Sequence, residues 1–156
     1  MPVGLGFDIH RLVPGRRLIL GGVEFAHPVG LLGHSDGDVV LHAVIDALLG
    51  ATGGGDIGEK FPDSDPRWKG ADSRTLLQQV MTELSPKWTV DNIDVTIVTE
   101  EPKLGTRKKD IARTIAELCS LEAGRVSVKA KTAEGLGAIG HREGIAALAV
   151  VLTLAR

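Results

Sequence analysis

The chain has one cysteine, no tyrosine, and only three phenylalanines and two tryptophans among its 156 residues. A single thiol excludes an intramolecular disulfide and a thiolate-built metal centre, so Cys119, set in a helical pattern, is expected to fill core. Lys and Arg are scattered, the formal net charge is −2, and there is little aromatic surface on which bases could stack, which excludes a nucleic-acid groove. No apolar run reaches the roughly 18 residues of a membrane span. The N-terminus opens directly into a strand-like pattern with no signal or transit segment, so the expected compartment is the cytoplasm, with no membrane partner. A hydrophobic content of 43% fits one domain over residues 1–156, able to bury roughly 70% of its unfolded surface.

What the chain does have is a polar stripe on an otherwise apolar helix. From Asp38 to Leu49 the only polar residues are Asp38, His42 and Asp46, spaced i, i+4, i+8 and therefore stacked on one helical face. Burying two carboxylates and an imidazole is costly unless they are paired or bound to a cation. Asp8 and His10, two apart in the strand-like run Val3 to Leu12, point to one side. Asp8, His10 and His42 together form either a hydrogen-bonded core network or a three-ligand metal site. Three such ligands leave a coordination position open, as a catalytic zinc requires.

Periodicity predicts a strand over Val3 to Leu12, turned by Pro14-Gly15 into a second over Arg17 to Phe25 as a hairpin. The loop Gly33 to Gly37 leads into the buried helix, with Asp36 or Asp38 as its cap. An irregular stretch covers 56–70, and helices follow over Asp72 to Leu84 and Lys103 to Ser120. Strands are expected over Val90 to Thr99, Val126 to Thr132 and Gly144 to Ala155, the last apolar without alternation and so covered on both faces.

Some motifs have plain explanations. Gly135 to Gly140 matches G-x-G-x-x-G, but a strand-like run follows and no acidic residue lies about 20 positions on, so a dinucleotide fold is rejected. Asp63-Ser64-Asp65 reads by default as a turn. His27, beside Pro28, is expected to be exposed, whereas His34 lies just upstream of the stripe and is the better functional candidate. Lys103, Arg107, Lys108 and Lys109 crowd a helix start where positive charge opposes the dipole, a conflict that an anionic ligand near Lys103 would remove.

The segments GFDIHRL (6–12), GHSDGDVVLHAVIDALLG (33–50), GDIGEKFPDSDPRWKGADSR (55–74), DVTIV (94–98), PKL (102–104) and KAKTAEGLG (129–137) closely resemble the 2-C-methyl-D-erythritol 2,4-cyclodiphosphate synthase family of the non-mevalonate isoprenoid pathway. The resemblance runs over nearly the whole chain. It implies an α/β (α+β) subunit with a mixed four- to five-stranded sheet and helices on one side, assembling as a homotrimer with active sites between subunits. It also implies the reaction: the substrate's own 2-phosphate attacks the β-phosphorus of its cytidine diphosphate arm, closing a cyclic diphosphate and expelling CMP. A protein doing this needs no nucleophile of its own, and its work is positioning and charge stabilisation.

By the same resemblance, zinc or another divalent transition metal sits on Asp8, His10 and His42, and magnesium or manganese bridges the diphosphate with help from Glu134. His34 and Thr132 match the pair assigned to transition-state stabilisation, and His34 with Ser35 matches the loop that meets the phosphates. Asp56, Ile57 and Gly58 match the ribose segment. Phe61, Pro62, Asp63, Ser64 and Asp65 match the loop that closes on the methylerythritol. Thr99, Pro102, Lys103, Leu104 and Gly105 match the segment around cytosine, and Ala130, Lys131 and Ala133 flank Thr132 in the phosphate segment. Asp46, one turn beyond His42, is inferred to support that imidazole.

Where relatives commonly read Gly-Arg-x-Glu-Gly, this chain has Gly140-His141-Arg142-Glu143-Gly144, so His141 stands at the arginine position and alternation would turn Arg142 to the opposite face. Ala138 replaces an aromatic residue near the implied trimer axis. Two other functions fit the same residues: a zinc-dependent phosphohydrolase and a noncatalytic cytidine-nucleotide binding module.

Overall fold

The first strand, β1 (Val3–Pro14), sends Gly4, Gly6, Asp8 and His10 to one face and Val3, Leu5, Phe7 and Ile9 to the other. After it come β2 (Leu18–Leu20), β3 (Val23–Phe25), β4 (Val29–Leu31), α1 (Val39–Thr52) and α2 (Ile57–Lys60). The second half holds α3 (Ser73–Leu84), β5 (Trp88–Val98), α4 (Lys108–Leu118), β6 (Val126–Lys131), α5 (Gly137–Gly140) and β7 (Gly144–Ala155). The computed structural model describes all of residues 1–156. Five strands form one mixed sheet in the order β4-β1-β7-β5-β6, in which only β5 and β6 run parallel. The buried faces of α1, α3 and α4 share one core with the sheet, and no helix is long and apolar enough to cross a membrane.

The expected hairpin between the first two strands does not form. Gly21 and Gly22 both adopt positive φ and fold 18–25 back on itself, so β2 and β3 pair only with each other. The end of β1 pairs instead with β4, Leu12 opposite Leu31. The last strand also departs from expectation: one face is covered by α1, but Leu148 and Val150 are 37% and 40% exposed, beside Phe7 and Leu5 at 54% and 66%. The lack of alternation in β7 thus reflects an apolar outer face that a single copy leaves uncovered.

Helix α1 starts at a fully buried carboxylate. Asp38 Oδ1 accepts from the amides of Val40 and Leu41, capping the helix, and also from Gly21, while Oδ2 accepts from Gly22 at 2.6 Å. Burial pushes this carboxyl up to about 6 against the opposing pull of those amides. Asp38 therefore ties the β2–β3 turn to the helix and is not part of the polar stripe that faces β1.

Two glycines set how close α1 comes to the sheet. A Cβ on Gly4 would stand 1.8 Å from the Ala47 carbonyl oxygen, and one on Gly6 would stand 1.9 Å from that of Ala43. Backbone thus meets backbone with no side chain between. We expect Gly6→Ala to lift the helix and cost more than about 3 kcal/mol, the range of severe core overpacking. Gly50→Ala, in the same helix with 4.0 Å to the nearest atom, should instead be neutral or stabilising by up to about 1 kcal/mol. Urea unfolding of both variants checks this, and equal midpoints would refute the close-contact account.

Candidate active site

Beyond Gly4 and Gly6 on the same face of β1 come Asp8 and His10, and α1 carries His42 over them. Asp8 Oδ2 lies 2.7 Å from His10 Nε2 and 3.0 Å from His42 Nδ1, and the two nitrogens are 3.1 Å apart. The other nitrogen of each ring is engaged. His10 Nδ1 donates to the Leu32 carbonyl at 2.5 Å. His42 Nε2 lies 3.0 Å from both the Ser35 and the Ser73 hydroxyl, and Ser73 Oγ donates to Asp36 Oδ1 at 2.5 Å, so Ser73 accepts the imidazole proton.

That proton accounting favours the metal reading of the cluster. With their outer nitrogens donating, both neutral rings aim bare lone pairs at each other and at a carboxylate oxygen. A purely hydrogen-bonded network would need a further proton on Nε2 of His10 or Nδ1 of His42, making that ring an imidazolium that faces the other ring's lone pair and the Asp8 carboxylate. A divalent cation satisfies all three atoms, and the donor set of two imidazole nitrogens and one carboxylate oxygen is that of a catalytic zinc site. Burial alone would raise the Asp8 carboxyl, but the hydrogen bonds and positive charge that His10 and His42 supply when protonated outweigh it and hold the group well below the usual carboxylate range. Asp8 thus stays an anion available to a metal.

The candidate metal set lies on a cavity of about 370 Å³, whose walls include the expected His34, Ser35, Ile57, Gly58, Phe61 and Asp63 and also the unexpected Leu32, Trp68 and Leu76. Phe61 packs edge-on against Trp68, with ring centroids 5.0 Å apart. His34 Nε2 is buried with no protein partner beside the cavity, leaving a polar atom free for a bound group. His27, expected to be exposed, is half-buried and bonds the Val29 carbonyl. Cys119 is buried as expected, and burial pushes its thiol up to about 12.

Several expected residues do other work. Asp46 does not support His42: its carboxylate accepts the Ile57 amide at 2.8 Å and fixes the start of α2. The helical spacing is right, but α2 folds back over α1 and claims the group, so Ser35 and Ser73 hold the imidazole. Ser73, fully buried at the start of α3, carries no periodic signal that would have revealed it. Asp56 caps α2 through the Glu59 amide, and Asp65 caps the turn Pro66–Trp68 and pairs with Arg67. The Pro62 carbonyl accepts the Asp65 amide in the turn just before it, where Ser64 is exposed.

The remaining candidates form a second cluster at the C-terminal ends of β5 and β6, off the cavity wall. The Thr99 amide donates to the Lys131 carbonyl, joining the segment of Pro102, Lys103, Leu104 and Gly105 to that of Ala130, Lys131, Thr132 and Ala133. Thr132 Oγ1 donates to Glu134 at 2.8 Å. Lys103 is exposed in a loop, and α4 begins only at Lys108, so Lys103 does not oppose that helix's dipole. His141 is exposed at the end of α5; Arg142 sits in a turn at positive φ and pairs with Glu101, so strand alternation does not govern it.

The model of the YgbB family matches residues 1–154. The chain belongs to that family. Relatives named 2-C-methyl-D-erythritol 2,4-cyclodiphosphate synthase include those of Bordetella pertussis, 56% identical with 96% of this chain and 93% of that protein covered, and Syntrophomonas wolfei, 54% identical with 97% and 98% covered. Among solved structures, the bifunctional IspDF of Campylobacter jejuni superposes with a TM-score of 0.93 at 42% identity, covering 99% of this chain, which spans 42% of that longer one. The CDP complex of Plasmodium falciparum IspF superposes at 0.87 with 31% identity, covering 99% and 96% of the two chains. A YgbB-family fold and a candidate three-ligand metal site therefore occur together in this chain.

Protein purified with zinc should hold close to one equivalent per chain, and His42→Ala should hold none above background. Ser73→Ala should keep the fold but weaken zinc roughly 10- to 100-fold, as loss of an outer partner of a metal-bound histidine does. Metal analysis and competition with a chelator measure both, and full occupancy in the His42 variant would remove the site.

Proposed function

We infer that the chain cyclises 4-diphosphocytidyl-2-C-methyl-D-erythritol 2-phosphate to 2-C-methyl-D-erythritol 2,4-cyclodiphosphate with release of CMP, a phosphorus–oxygen lyase step of the non-mevalonate isoprenoid pathway. The observation that carries this reading is the convergence of Asp8, His10 and His42 on one cavity in a chain whose relatives bear that enzyme's name. The attacking oxygen belongs to the substrate's 2-phosphate and the leaving group is CMP. One phosphorus–oxygen bond forms as another breaks, and no protein nucleophile is needed.

Asp8, His10 and His42 would hold a zinc ion, which would supply a Lewis acid to withdraw charge from phosphate oxygens. His34 and Ser35 border the same cavity and orient those phosphates, and Ile57 and Phe61 with Trp68 give the apolar wall against which the methylated carbon skeleton packs. Thr132 Oγ1, which here donates to Glu134, would donate to the phosphoryl group where charge accumulates, and Glu134 would hold a magnesium or manganese ion that neutralises the diphosphate. Lys103 meets the nucleotide phosphates as a flexible point charge.

Thr132, Glu134 and the Thr99–Gly105 segment do not line the cavity of their own subunit, which supports a site completed by a neighbouring copy. Val3, Leu5, Phe7, Ile9, Leu148 and Val150 form a continuous apolar patch on the outer face of the sheet, as a homotrimer packed around β1 and β7 requires. The working compartment on this reading is the cytoplasm.

Phosphorus NMR of the metal-replete protein with the proposed substrate should show cyclic diphosphate and CMP. Inorganic phosphate as product would establish the phosphohydrolase instead, and no turnover with CDP bound would leave a binding module. Thr132→Val, which deletes one hydrogen bond of about 1.5–3 kcal/mol to a charged group, should lower turnover about 10- to 100-fold while zinc content and melting temperature hold. Phe7→Asp should convert trimer to monomer in sedimentation and abolish turnover with it. A fully active monomer would overturn the shared-site assignment.

A further inference from the structure

Glu100 lies within the Thr99–Gly105 segment assigned to the nucleotide and reaches the segment assigned to phosphate, and neither resemblance nor cavity lining gives it a task of its own. Its Oε1 accepts from the amide of Ala133 at 2.9 Å and from that of Gly135 at 3.3 Å. Between those amides stands Glu134, in the left-handed region at φ 53°, followed by Gly135 at φ 73°. A residue with a side chain holds that conformation only where surrounding bonds over-determine it. The alternate amides of such a turn form a concave anion site, and here the chain's own carboxylate fills it. The Glu134 amide, left over, donates to Thr132 Oγ1, whose hydrogen goes to the Glu134 carboxylate. Glu100 thus braces the backbone turn that carries the Thr132–Glu134 pair. It also sits next to Thr99, whose amide bonds Lys131 and whose hydroxyl bonds the Glu101 carbonyl, at the root of the segment carrying Lys103.

We propose that Glu100 is a positioning residue for the cyclisation: a carboxylate strut between the nucleotide segment and the 132–135 turn that holds Thr132 and Glu134 toward the phosphates. The proposal rests on the cyclisation reading for its consequence in rate, but the strut itself is observable without turnover. What the turn needs is an acceptor oxygen at that place rather than a negative charge, so the amide of Gln serves and a methyl does not.

The test uses assembled, zinc-loaded protein in three forms: wild type, Glu100→Ala and Glu100→Gln. Amide hydrogen exchange should show the Ala133 and Gly135 amides protected in wild type and Glu100→Gln and unprotected in Glu100→Ala. In turnover, Glu100→Ala should lose about 10- to 100-fold in kcat, bind CDP more weakly and need more magnesium, as expected when a charge-assisted contact is lost. Its zinc content and trimer fraction should stay at wild-type level, and Glu100→Gln should recover to within about threefold. Wild-type kinetics in Glu100→Ala, equal damage in the Ala and Gln variants, or activity lost only in step with the trimer would each overturn the proposal. If the wild type itself made no cyclic diphosphate, the cyclisation reading would fall, and the exchange data would still decide whether the strut exists.

Discussion

Much of this structure depends on the contact of one strand with one helix through glycine. Gly4 and Gly6 admit the carbonyls of Ala47 and Ala43, so α1 lies closer to β1 than any pair of side chains would permit. Farther along β1 the same face carries Asp8 and His10, and α1 places His42 between Ala43 and the capped end at Asp38. The small residues and the ligands are thus one alternating series read along one strand. The glycines bring the backbones together, and the ligands fill the space that opens where the helix begins. An added methyl in the first part of the series would be felt as misplacement in the second, because ligand atoms must meet within a few tenths of an ångström.

Close approach brings polar groups into the core, and their cost has to be offset locally. Asp38 does so with four amide donors, Asp46 with the start of α2, and Asp36 with the Ser73 hydroxyl and amide. The chain Asp36–Ser73–His42 carries the imidazole proton away from the metal side, and the Leu32 carbonyl does the same for His10. Each ligand is thereby presented in the protonation state a cation requires. Among the buried side-chain atoms only His34 Nε2 and Trp68 Nε1 lack a protein partner, and both residues border the cavity. Unsatisfied polarity is confined to where a substrate would be bound.

How much of this could be read from residues alone follows from the range over which each signal acts. Alternation in β1 and the i, i+4 relation in α1 are local, so Asp8, His10 and His42 stand out from the sequence itself, and the resemblance extends to the cavity residues Ile57, Gly58 and Phe61. Partner choice is not local. Asp38 and Asp46 share the helical face of His42 in projection, yet one was claimed by the glycine turn of β2–β3 and the other by the amide of Ile57. No periodicity announces that α2 will fold back over α1, or that β1 will pair with β4 across a hairpin that keeps its bonds to itself. Ser73 went unseen for a related reason: a serine at a helix start looks like a cap, and only the tertiary arrangement brings its hydroxyl to an imidazole.

The alternation of β1 has one more consequence. Between Asp8 and His10 stands Ile9, and before Asp8 stands Phe7, both on the opposite face and both about half exposed. The candidate metal ligands and the residues that would pack against neighbouring copies therefore interleave one by one along the same strand. A slip of one residue in the pairing of β1 with β7 would bury Phe7 against α1 and turn Asp8 outward, ruining both faces at once. On the proposed reading this couples assembly to chemistry: packing of the outer face brings a neighbour's Thr132 and Lys103 to a cavity that its own subunit leaves unfinished. The apolar face that a single copy leaves exposed is then what completes the site, and polar residues at Val3, Leu5 or Phe7 would separate the metal from the groups that receive the departing charge.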